Sequence, residues 1–124
     1  MSARRIMFVV YAIALVVATH WPELAIAGGG RPDLPAHAAA FGIWCALLLR
    51  TRWFGPTLST RNIAVSTLLA CAMAVLDETT QAIPAINRTF GLDDLAANGV
   101  GVVATAGIAA ALARRARNTR PAPD

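Results

Sequence analysis

Lysine is absent from this chain: all eleven basic residues among its 124 are arginine. Charge is scarce too, at 15% of residues, and aromatic side chains make up only 6%. Against that poverty stand a hydrophobic fraction of 56% and a mean hydropathy of +0.55. A small soluble globule has too little interior to hide so much apolar surface, so an ordinary soluble domain is excluded. Cysteine is limited to Cys45 and Cys71, both inside apolar runs and without any Cys-x-x-Cys or Cys/His ligand spacing. They read as small apolar side chains, and the sequence gives no reason to expect a metal or a cofactor.

What is present is four apolar runs: Ile6–Thr19, Ala36–Leu49, Ile63–Leu76 and Leu95–Ala113. A membrane-spanning helix needs about 20 mostly apolar residues, and shorter cores are tolerated when the flanks reach the interface. The first three runs are short, which puts their polar ends at or just inside the interface. The expected fold is all-α, an integral membrane bundle of four transmembrane helices over residues 1–113. The basic segment 114–124, "RRARNTRPAPD", is expected to be a disordered tail drawn to anionic lipid.

A net charge of +4 and a pI near 10.5 would ordinarily raise nucleic acid as a partner. Placement of the charge points instead to topology, and no nucleic-acid partner is expected. Arg4, Arg5, Arg50, Arg52, Arg61, Arg114, Arg115, Arg117 and Arg120 fall on one side of a four-helix plan. The other side has only Arg31 and Arg88, with Glu23, Asp33, Asp77, Glu78, Asp93 and Asp94. Arginine-rich loops stay cytoplasmic, so both termini are expected there, in the bacterial cytoplasmic (inner) membrane. The first run has an alternative reading: Ala25-Ile26-Ala27 is an A-x-A-like site, and a signal peptide cleaved there would remove residues 1–27. The polar break His20-Trp21-Pro22-Glu23 argues for retention, and the intact mass of the purified protein distinguishes the two.

The polar groups of the acidic side are spaced to meet. Asp33 is placed to cap the second helix, with Pro35 in its first turn and His37 on the same face at i+4. The third run ends in "LDETTQ", where Asp77 and Glu78 each share a face with Gln81. Two carboxylates at a helix C-terminus oppose the macrodipole and lie beside hydrocarbon, so something must compensate them. Arg88 is the available counter-charge, able to grip a carboxylate or a ligand phosphate with two hydrogen bonds. Asp93 or Asp94 is expected to cap the fourth helix. Asp94, Asn98, Gly101 and Thr105 then fall on one stripe, whose small members permit close helix packing and turn Asn98 into the bundle.

In the order Asp77 to Gly101 these groups resemble the VanZ-like family of small bacterial membrane proteins, named for an accessory determinant of teicoplanin resistance. The family's Asp-Lys-x-x-His-x-x-x-Tyr/Phe segment appears as Asp33, Leu34, His37 and Phe41, with leucine in the lysine position. Its acidic-then-Gln element is similar to Asp77 through Gln81. Its Arg-Ser-Phe-x-x-Asp-Asp-Leu-x-x-Asn-x-x-Gly signature is similar to Arg88-Thr89-Phe90 through Asp93-Asp94-Leu95, Asn98 and Gly101. The likeness covers roughly residues 5 to 113 and implies a membrane protein of the cell envelope connected with antibiotic tolerance.

Three functional readings stay open. In the first, Asp33, His37, Asp77, Glu78, Gln81, Arg88, Asp94 and Asn98 bind an anionic or lipid-linked ligand at the outer face. A cell-wall precursor or a polyprenyl-phosphate-like lipid is the partner there, besides the bilayer itself. In the second, the chain is an enzyme on lipid-linked phosphate or acyl groups, with His37, Glu78 and Asp94 as acid/base candidates. In the third, the polar set only locks helices together. Four short helices leave little room for a transport path unless the protein forms a homo-oligomer.

Overall fold

The computed structural model describes residues 1–21, 33–83, 86 and 90–119. The chain folds into four helices, α1 (Ala3–His20), α2 (Asp33–Thr51), α3 (Thr60–Gln81) and α4 (Leu92–Asn118), with no strand among the described residues. All four are long and apolar enough to cross a membrane. Each extends past its apolar run by a polar turn or more, because backbone groups at a membrane interface are best satisfied by continuing the helix. Neighbouring helices run in opposite directions. One end of the bundle therefore gathers the C-termini of α1 and α3 with the N-termini of α2 and α4, and the arginines crowd the other end.

Large apolar side chains face outward as well as inward. Leu68 is 71% exposed and Val100 65%, alongside Val103, Ile108, Val10 and Ile13. Such a surface suits lipid and not water. The interior is small and tight, built on Phe41, Cys45, Leu48, Ala70, Ala74 and Val102. The closest approach is between α2 and α4: a Cβ on Gly101 would collide with the Ala38 carbonyl, and Thr105 Oγ1 donates to the Gly42 carbonyl at 3.1 Å. The glycine-and-threonine stripe expected of α4 therefore does bring two backbones together.

The helix α1 is held more lightly. It buries only Phe8, Leu15 and Thr19. Phe8 sets its ring edge-on to Trp44 and Trp53, with centroids 5.1 and 5.4 Å away, and the Tyr11 hydroxyl donates to the Ala40 carbonyl at 2.9 Å. At the arginine end, a tight turn joins α2 to α3 through positive φ at Arg52 and Gly55. Ser59 caps α3 by accepting the Asn62 N–H, and the buried Asn62 amide donates back to the carbonyls of Leu49 and Thr57.

Two details differ from expectation. The segment after Ala113 is helical as far as Asn118, so Arg114, Arg115 and Arg117 belong to the last turns of α4. Alanine and arginine are good helix formers, and positive charge is favourable at a helix C-terminus. The 27 residues of α4 span about 40 Å, against about 30 Å of hydrocarbon, which lifts those arginines clear of the core. At the other terminus of α4 the cap is Gly91, while Asp93 and Asp94 occupy the first turn. There they still complement the macrodipole without capping.

Candidate functional site

The last turn and a half of α3 carries three buried polar side chains: Asp77 is 1% exposed, Glu78 0% and Gln81 4%. Successive positions on a helix point about 100° apart, so the two adjacent carboxylates look toward different neighbours. Asp77 faces α1. It accepts from the Thr19 hydroxyl at 2.8 Å and from Gln81 Nε2 at 3.0 Å, and His20 Nδ1 stands 3.7 Å away. His20 Nδ1 also lies 3.0 Å from the Val16 carbonyl. Its Nε2 meets the Thr80 hydroxyl at 2.9 Å. Both oxygens of Asp77 are thus engaged, and α1 is fastened to α3.

Glu78 faces α4 and is much less satisfied. Its Oε2 accepts the backbone N–H of Gly91 at 3.3 Å, while Oε1 is buried with no hydrogen-bond partner. Asn98, on the second turn of α4, is 0% exposed. Its Oδ1 sits 3.2 Å from His37 Nδ1 across the α2–α4 interface, and its Nδ2 is buried without a partner. Asp94, His37 and Asp77 all lie close enough to act electrostatically on Glu78. The Asp94 carboxylate packs against Gly91, whose missing side chain makes the room: a Cβ there would come within 2.6 Å of Asp94 Oδ2.

The bundle therefore brings together six of the eight residues singled out from the sequence: His37, Asp77, Glu78, Gln81, Asp94 and Asn98. The side chain of Asp33 and the whole of Arg88 lie outside the described residues, and so does the expected pairing of Arg88 with a carboxylate. Sequence reasoning missed Thr19 and His20. They close an apolar run, where a polar pair reads as an interface flank. The available signal was their position: they end α1 on the same side of the membrane at which α3 ends in acid.

Chemically, the site offers a buried carboxylate acceptor, a buried amide donor and a half-buried imidazole. The described hydroxyls nearby are committed elsewhere. Thr79 and Thr80 donate back to carbonyls of their own helix at 2.7 to 3.0 Å, and Thr19 donates to Asp77. Among the described residues no hydroxyl hydrogen-bonds to His37, Glu78 or Asp94, and no group of His, Cys, Asp and Glu is arranged to hold a metal ion.

A comparison with protein families finds that the VanZ/LLP1 family matches residues 35–113, well over half of the chain. That span runs from the first turn of α2 to the end of the apolar part of α4, so it contains His37, the α3 carboxylates and Asn98, and leaves α1 outside. No curated protein and no solved structure matches the chain.

Proposed function

Because the chain belongs to the VanZ/LLP1 family and has four helices able to span a membrane, we propose that the polar end of this multi-pass membrane protein is an extracytoplasmic binding site. Its ligand is anionic or lipid-linked, of the kind carried by cell-wall precursors or polyprenyl phosphates, and its role is in tolerance of glycopeptide or other envelope antibiotics. The arginine end faces the cytoplasm in this reading, as the positive-inside rule requires, and the membrane is the bacterial cytoplasmic one.

The observation that carries the proposal is the pair of unmatched polar atoms, Glu78 Oε1 and Asn98 Nδ2, on two fully buried side chains. Leaving such a group unpaired costs about 1–3 kcal/mol, more when it is charged. A network serving packing alone would close on itself, as Asp77 does with Thr19 and Gln81. One free acceptor and one free donor beside His37 suit a ligand that brings a hydroxyl or amide, and Arg88 is the residue proposed to contact its anionic group.

Among the described residues, no nucleophile is hydrogen-bonded to His37, Glu78 or Asp94, the acid and base of the enzyme reading. The test compares Glu78→Gln, Arg88→Ala and Asp94→Asn for folded membrane yield and for envelope-antibiotic tolerance. Normal yield with lost tolerance is the expected result. Lost yield in all three supports a purely structural network, and unchanged tolerance removes the site from consideration. Incubating the purified protein with polyprenyl phosphates and seeking product by mass spectrometry separates binding from catalysis.

A further inference from the structure

The helix α1 leans on α2 and scarcely touches α3, which leaves an open apolar groove of about 370 Å³ running from the α2–α3 turn along α3 as far as Leu76. Its walls are Phe8 from α1, Trp44 from α2, Trp53 and Phe54 from the turn, and Leu69 and Met73 from α3. The groove is open along its outer side and its lining is apolar, so in a bilayer hydrocarbon fills it.

The mouth of the groove makes the occupant more specific. Arg5 lies one turn before Phe8 on the same face of α1, on the N-terminal, interface side of the groove. Its Nε is buried without a hydrogen-bond partner. Arg52 beside Trp53 is fixed by donating from Nε to Thr57 Oγ1 at 3.1 Å, which leaves its terminal nitrogens free for another acceptor. No carboxylate stands at this end among the described residues, and no arginine there forms an ion pair. Deeper in the wall, Trp44 Nε1 is a second buried donor without a partner.

We propose that this groove binds one anionic phospholipid, its acyl chain between α1 and α3 and its phosphate on Arg5 and Arg52. The ester carbonyl is the acceptor that such a lipid brings to Trp44 Nε1. Neutral lipid supplies the same chain but no net charge for the arginines, so the site prefers anionic lipid. This site is separate from the polar end and holds whichever leaflet the arginines face.

Trp44 and Trp53 report on it directly. A Trp21→Phe variant, which removes an exposed tryptophan at the other end, is reconstituted into phosphatidylcholine vesicles containing rising fractions of acyl-brominated lipid. Brominated phosphatidylglycerol is expected to quench the remaining tryptophans at a mole fraction several-fold lower than brominated phosphatidylcholine. Adding Arg5→Gln or Arg52→Gln draws the two curves together, whereas Arg115→Gln leaves them apart. Superimposed curves before any arginine is changed overturn the proposal, since the groove is then ordinary lipid contact. Resistance to both quenchers overturns it as well, because something other than lipid fills the groove.

Discussion

At the polar end of the bundle, Asp77, Glu78, Gln81 and Asn98 are buried and mostly bonded from one helix to another. At the arginine end, Arg4, Arg50, Arg61, Arg114 and Arg115 stand exposed with no ion pair. Both ends must keep charge beside hydrocarbon. Arginine does so alone, because its long stem lets the guanidinium reach water or lipid phosphate. Short carboxylates cannot reach out, so they need partners from neighbouring helices. The acidic end therefore couples α1, α3 and α4 in a way that the basic end does not, and the two ends should respond differently to mutation.

The largest effect is expected at Asp77. Asp77→Ala removes the acceptor that Thr19 and Gln81 share, leaving the buried Gln81 amide unpaired and the Thr19 hydroxyl with only the carbonyls of its own helix. Breaking a buried charged network of this kind costs about 3–5 kcal/mol, enough to lower folded yield sharply and to bring down the unfolding midpoint in mild detergent. Thr19→Val tests the same tie from α1. It removes one hydroxyl donor and keeps the shape, and interhelical hydrogen bonds within membranes are worth about 0.6–1.7 kcal/mol. A Thr19→Val protein as damaged as Asp77→Ala would mean that Asp77 depends on α1 alone.

How far these contacts can be read from sequence follows from their range. The four spans were legible because lipid demands long apolar runs. The Asn98–Gly101–Thr105 stripe was legible because helical spacing puts those positions on one face, and Asn98 and Gly101 are indeed buried there. The tie between Thr19 and Asp77 was not, since the two are 58 positions apart and no local period says which helices touch. Nor does a motif draw attention to α1, which precedes the matched residues 35–113. Gly91 as the cap of α4 was hidden for another reason. Asp93 and Asp94 are better capping residues by type, and only the contact of the Gly91 N–H with Glu78 reveals why the cap falls two positions before Asp93.

Glu78→Gln sharpens the comparison within the acidic end itself. The substitution keeps the size and one acceptor for the Gly91 N–H, and replaces a carboxylate oxygen that has no partner. Replacing a buried carboxyl that has an unmatched oxygen is neutral or stabilising, by up to about 1–2 kcal/mol. The unfolding midpoint should therefore hold or rise while ligand-dependent function is lost. Adjacent residues would then fail in opposite ways, Asp77 through folding and Glu78 through function. A fall in midpoint comparable to that of Asp77→Ala would show that Glu78 is also a structural tie, with its second oxygen bonded in the membrane.

The smallest effect is expected from single arginines. Arg115 is exposed on the last turns of α4 with no partner among the described residues, so Arg115→Gln should leave the unfolding midpoint where it was. The arginines act on orientation as a sum. Replacing Arg50, Arg52 and Arg61 together with Gln removes all the positive charge of the α2–α3 turn, and a fraction of the protein should then insert inverted, as read by protease access to a tag at residue 1. The same triple change made while Asp77 and Glu78 are intact separates the two ends cleanly. If inverted molecules still unfold at the normal midpoint, the arginines choose direction, and the acidic end holds the helices together.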